Sequence, residues 1–128
     1  MSISKITPIL IVESVEASLP FWQLQLGYEV VHTVPHGESI GFVILKQAES
    51  EVMLQSAASA KDDLKIRESA QAGSVLLYAD VDSVEKVIEA NRDGKVLIAS
   101  RKTDYGALEA WIKTPSGTIM GFAEFPKK

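Results

Sequence analysis

The chain has 128 residues, 46% hydrophobic and 23% charged, with a formal net charge of −4 and no cysteine. That balance fits one globular domain with its own apolar core, and the missing cysteine excludes thiol catalysis, thiolate metal sites and disulfide scaffolds. Lysine and arginine are scattered rather than clustered, which argues against nucleic acid as a partner.

Taken in order, residues 6–12 (ITPILIV) read as an apolar, β-branched strand. Ser14 is placed to cap a helix whose dipole Glu16 complements. Val15, Leu19, Trp22 and Leu26 fall on one face of that helix; Pro20 kinks it or delays its start, and Gly27 ends it. Phe21 and Trp22 read as core or dimer packing. Strand character resumes over 28–34, Pro35, His36 and Gly37 make a turn, and Ile40–Lys46 and Val52–Gln55 are further strands. Residues 56–72 are small, polar and charged, a connector with a weak helical stripe at Leu64 and Ile66; Asp62 and Asp63 read as a solvated pair. The second half repeats the order: a strand over Val75–Ala79, then Asp80 capping a helix that carries Val81, Val84, Val87 and Ile88. Gly94 is its stop and Val96–Ala99 a strand, with Arg101–Gly106 a polar loop. Leu108–Lys113 is a strand, Thr114-Pro115-Ser116-Gly117 a tight turn, and Thr118–Phe125 the last strand.

The halves echo each other. Val15 superposes on Val81, and a one-residue adjustment in the helix then brings Gly27 onto Gly94 and Val52 onto Ile119. The expected fold is α+β: two βαβββ modules, 5–56 and 73–126 with a connector at 57–72, forming a curved mixed sheet with helices outside in a single domain over 1–128. Open sheet edges of this kind are covered by pairing, so a homodimer is expected. No run approaches the roughly 18 apolar residues of a membrane span, and the opening MSISKITPILIVES lacks the apolar length of a signal peptide. A bacterial-type cytoplasmic protein with no membrane partner is the expectation.

Trp111, Phe42, Ile44, Tyr105 and Tyr78 are candidates to line a pocket, the alternative being ordinary core packing. Glu109 shares a strand side with Trp111 and Lys113. It is either paired with Arg101 or a nearby lysine, or is a carboxylate at a cavity mouth that meets a cation or acts as a base. His32 and His36, the two histidines, read as surface residues, with His36 the better placed to reach a cavity mouth. There is no glycine-rich phosphate loop.

VESVEASLPFWQLQLGYEV, YADVDSV and YGALEAWIKTPSGTIMGFAEF, in that order on a duplicated frame, resemble three motifs of the vicinal oxygen chelate superfamily, the glyoxalase, bleomycin-resistance and extradiol-dioxygenase relatives. The resemblance covers nearly the whole chain, with Ser14, Trp22, Thr114 and Ser116 departing from the usual residues. It implies a divalent-metal site with ligands on the first and last strand of each half, which map to Thr7, Leu54, Gly73 and Gly121. None of these is a usable ligand for Zn²⁺, Ni²⁺ or Fe²⁺, and a shift by one residue recovers only Gln55. The resemblance thus implies a metal-free, cofactor-free protein of the bleomycin-resistance type. Trp111, Phe42, Ile44, Tyr105, Glu109, Gln55 and His36 would hold a small, partly aromatic ligand, with a cationic group met by Glu109. The alternatives are a glyoxalase-like lyase or isomerase or a dioxygenase-type enzyme with a divalent metal, and a structural dimer with a closed cavity.

Overall fold

A computed structural model of the chain describes residues 1–64 and 71–126. Its strands are β1 (Ile3–Val12), β2 (Glu29–His36), β3 (Ser39–Gln47), β4 (Ser50–Ser56), β5 (Val75–Val81), β6 (Lys95–Lys102), β7 (Leu108–Lys113) and β8 (Ile119–Glu124). The helices are α1 (Val15–Pro20), α2 (Ala57–Leu64) and α3 (Val84–Ala90). The fold is α+β, with an open mixed sheet in the order β2-β3-β4-β1-β5-β8-β7-β6. β1 pairs parallel with β4, and β5 with β8, whereas the hairpin partners run antiparallel. By contact density the chain forms two compact units, Pro8–Val75 and Met1–Thr7 with Leu76–Lys128.

In the unit Pro8–Val75, Ser14 caps α1 as expected, its hydroxyl accepting from the Ala17 amide at 3.1 Å. At Pro20 the helix changes its gauge. Lacking an N–H, the proline cannot close a normal turn, and residues Phe21–Gln25 continue as a π-turn in which the Leu26 amide reaches the Phe21 carbonyl. The wider turn rotates the apolar stripe. Val15 is buried, and Leu19 and Trp22 pack against the core of Val43, Leu45, Val52 and Leu54. Leu26, expected on the buried face, is exposed, as are Phe21 and Leu24. Trp22 meets Tyr28 edge to face at 5.3 Å.

The turn after β2 is Gly37–Glu38, not Pro35–Gly37, since Pro35 and His36 still pair with β3. Proline is tolerated there because β2 is an edge strand. The connector opens as a regular helix, α2, which packs against β3 and β4 through buried Ala60 and Leu64. Gly41 permits that approach: a Cβ there would lie 2.7 Å from the His36 Cβ and 3.1 Å from Ser59. Ile66 lies outside the described residues.

In the other unit the cap of α3 is Ser83, whose hydroxyl accepts from the Lys86 amide, rather than Asp80. Asp80 and Val81 belong to β5. The counterpart of Val15, first after its capping serine, is therefore Val84. The Glu124 carboxylate accepts from the Val84 amide at 2.9 Å, adding a second acceptor at the helix start. Val84 and Val87 pack with Ala79, Val81, Ala110 and Ile112. β6 runs on to Lys102, so Arg101 lies in a strand rather than in a loop.

Candidate functional site

Strand alternation builds the most chemically distinctive cluster of the chain. Leu108, Ala110 and Ile112 of β7 face the α3 core, so Glu109 and Trp111 project from the opposite side. Both are buried, Glu109 completely. Across the β6–β7 ladder Arg101 stands directly opposite Glu109, after an irregularity in β6 between Ile98 and Arg101.

Five donor contacts converge on this one carboxylate. Oε1 accepts from Arg101 Nε at 2.9 Å and Arg101 Nη2 at 2.8 Å, and from Trp111 Nε1 at 2.9 Å. Oε2 accepts from the Tyr78 and Tyr105 hydroxyls, whose oxygens are 3.2 Å apart. A carboxylate has only acceptors to offer, and here each contact is a donor, the condition under which a buried charge is retained. Glu109 thus takes the ion-pair alternative with Arg101, and its charge is balanced where it sits. No free lone pair faces outward to act on a ligand as a base.

Burial, and then the adjacent Glu109 charge, push the Tyr78 phenol far above the ordinary phenolic range. The same two causes, in the same order, raise Tyr105, whose ring is exposed while its hydroxyl end is tucked onto Glu109. A phenol whose folded pKa is raised contributes stability that is intact below the unfolded tyrosine pKa of about 10 and is lost as pH climbs beyond it. The expected outcome is that phenolate absorbance from these two tyrosines appears only with alkaline unfolding. The gap between native and guanidinium-denatured titrations should narrow in Tyr78→Phe; an unchanged gap would dissolve the cluster.

Gly121 explains how Trp111 fits. In the ladder Tyr78, Gly121 and Trp111 stand in one row across β5, β8 and β7. Without a side chain at 121 the indole leans over β8 towards Tyr78, the ring centroids 6.0 Å apart. A Cβ at Gly121 would lie 2.6 Å from the indole Cζ2.

The remaining candidates belong to the unit Pro8–Val75. Phe42 and Ile44 are half-buried on β3 and pair with Gln55 and Met53 of β4. Gln55 is buried and its amide donates to Ser59 Oγ of α2 at 3.2 Å. His36 Nε2 lies 2.8 Å from Asp62 Oδ2 of α2, and Asp62 stays exposed, as does Asp63. His32 is exposed on β2. Two of these associations, Gln55 with Ser59 and His36 with Asp62, depend on α2 folding back, for which the polar connector gave no signal.

The four positions mapped for a metal do not form a donor set. Thr7 is buried in β1, and Gly73 sits in an exposed turn with a φ of 94°. Leu54 points into the α1 core, so the residue on the opposite strand side is its neighbour Gln55. Gly121 lies under an indole. Among the described residues no three His, Asp or Glu side chains converge as a metal cluster. Even with Gln55 in place of Leu54, a hydroxyl, one neutral amide and two glycines do not fit a divalent transition ion.

A small cavity of about 280 Å³ lies beside the turn between β6 and β7, lined by residues that include Lys102, Gly106, Leu108, Glu124 and Phe125. The Tyr105 and Phe125 rings stand 6.4 Å apart next to it.

No curated protein matches the chain. Among solved structures, a glyoxalase/bleomycin resistance protein/dioxygenase superfamily member from Vibrio splendidus 12B01 is 23% identical. The alignment covers 96% of this chain and 99% of that one with a TM-score of 0.68. A hypothetical protein from Bacillus halodurans C-125 is 17% identical over 100% and 98%, with a TM-score of 0.73. A Streptomyces coelicolor methylmalonyl-CoA epimerase variant in complex with 2-nitronate-propionyl-CoA is 16% identical over 98% and 100%, with a TM-score of 0.71. At these identities the likeness is one of fold. The model of the Glyoxalase/Bleomycin resistance protein/Dioxygenase superfamily matches residues 3–122. The duplicated strand–helix order and the parallel pairing of β1 with β4 and β5 with β8 therefore have a family behind them, and the chain belongs to that superfamily.

Proposed function

We propose that this protein is a small-molecule-binding member of the superfamily that works without a divalent-metal centre of the family type. The observation that carries the reading is the indole of Trp111 over Gly121. A ligating side chain at 121 and the tryptophan at 111 require the same space, Gly73 brings no side chain, and Thr7 and Gln55 bring only a hydroxyl and a neutral amide. The ligand is partly aromatic, with Trp111 and Tyr105 the residues offered for contact. The net charge of −4 favours the approach of a cation, whereas Glu109, matched by Arg101, adds no local preference for one.

Elemental analysis of protein dialysed against a chelator tests this reading. Nickel, zinc, iron and manganese should all fall far below one equivalent, while Trp111 fluorescence still responds saturably to a member of an aromatic panel. One tightly held equivalent, or no response to any compound, would remove the proposal. A homodimer in the cytoplasm belongs to the same reading: Leu24, 83% exposed, and the edge strands β2 and β6 offer surface that a second copy would cover. A monomer mass in sedimentation of the same preparation would remove the dimer.

A further inference from the structure

The cavity beside the turn between β6 and β7 lies on the α3 side of the sheet, opposite to Glu109 and Trp111. Lys102, Leu108 and Glu124 stand in one row across β6, β7 and β8, and all three line it. Leu108 packs onto the α3 core and makes the floor. The row sets the Cα atoms of Lys102 and Glu124 two strand separations apart, roughly 10 Å.

The walls are held in place. In the turn over 103–107 the Thr103 amide donates to the Ala107 carbonyl at 2.9 Å, and the Ala107 amide donates to the Thr103 hydroxyl at 2.9 Å. Phe125, another wall, lies against the Tyr105 ring at 6.4 Å. Glu124 Oε1 is fixed by the Val84 amide at 2.9 Å, while Oε2 meets no donor among the described residues. Lys102 is exposed on the edge strand β6 and makes no ion pair among the described residues.

The cavity therefore offers a carboxylate and an ammonium at opposite ends of an apolar floor. An anion alone would leave Glu124 facing it unmatched, and a cation alone would meet Lys102. A molecule with one charge of each sign matches both. The volume of about 280 Å³ lies just under the usual range for small-molecule sites, which suits a compact ligand. Leu108, Ala107 and Phe125 supply apolar surface for a short tail.

We propose that this outer cavity binds a free α-amino acid with an apolar side chain. Its ammonium sits on Glu124, its carboxylate on Lys102, and its side chain over Leu108 against Phe125. The site goes beyond the binding reading above: it lies on the other side of the sheet from Trp111, and neither depends on the other.

The test is a titration of isotope-labelled protein with L-leucine, followed at the backbone amide resonances of Gly106 and Leu108. Isocaproate and isoamylamine carry the leucine side chain with only the carboxylate or only the ammonium. Leucine should shift both resonances saturably. Isocaproate, without the ammonium that Glu124 takes, should bind about tenfold more weakly, and isoamylamine about threefold, since Lys102 is exposed. Glu124→Gln keeps an acceptor for the Val84 amide, so the fold is retained; it should weaken leucine about tenfold and leave isocaproate unchanged or improved. Lys102→Met should weaken leucine about threefold and favour isoamylamine. Leucine binding no tighter than isocaproate, leucine affinity unchanged in both variants, or no saturable shift would overturn the inference. A shift confined to the Trp111 indole would also overturn it, by placing the ligand on the other side of the sheet, yet would support the binding reading given before.

Discussion

Replacing Glu109 with alanine is expected to lower folding stability by about 3–5 kcal/mol, a large fraction of what a domain of this size has in reserve. The cost is not the sum of five lost hydrogen bonds. It comes from what the substitution leaves behind: the Arg101 guanidinium, with a side chain 22% exposed, loses the Glu109 carboxylate, and two phenols and an indole N–H lose the same acceptor. Urea denaturation should show the midpoint falling with little change in slope. The double variant Arg101→Met/Glu109→Met should recover much of the loss, because removing both members of a buried pair leaves no orphaned charge. If Glu109→Ala cost no more than an ordinary surface change, the carboxylate would not be the hub that its geometry makes it.

The second large effect is expected at Gly121. Alanine there places a Cβ 2.6, 2.7 and 2.8 Å from three indole carbons of Trp111. The ring has little freedom to withdraw, being bonded through Nε1 to Glu109 and packed towards Tyr78. Overpacking of this kind costs about 1–3 kcal/mol. Trp111→Ala alone should cost about 3–5 kcal/mol. In that background Gly121→Ala should become close to neutral, giving a clear coupling energy between the sites. Additive losses in the same denaturation series would mean that the indole is not what occupies the space at 121.

Period-two and helical patterning made the order of the elements legible, and the glycine stop at Gly27 placed the end of the first helical segment, whereas α3 ends at Ala90 with Asn91 as its cap, short of the expected stop at Gly94. The misreadings came from local chemistry with two physical solutions. Asp80 and Ser83 are both good capping residues, and only the pairing of β5 with β8 decides that the strand continues through Asp80. Pro20 could end a helix or widen it; the π-turn it adopts is invisible to a periodicity count and turns Leu26 outward. At the site, Glu109 and Trp111 shared a strand side in the sequence pattern, and Arg101 was already available as a partner. What no pattern gave was convergence. Tyr78 and Tyr105 arrive from another strand and from a turn, and α2 brings Ser59 and Asp62 back onto Gln55 and His36. The slip at Leu54 has a similar origin: carrying a register from one half to the other fails by one residue where the halves differ, and one residue is a change of face.

Gly121 also bears on how this lineage can change. Any larger residue arriving at 121 meets the indole at 111, and any smaller residue arriving first at 111 leaves a hole beneath the Glu109 cluster. Each single step therefore passes through a destabilised intermediate, and only the paired change avoids it. A coordinating side chain cannot drift into that place one mutation at a time, so the glycine–tryptophan pair acts as a ratchet, holding descendants of this sequence to whatever the filled sheet now does.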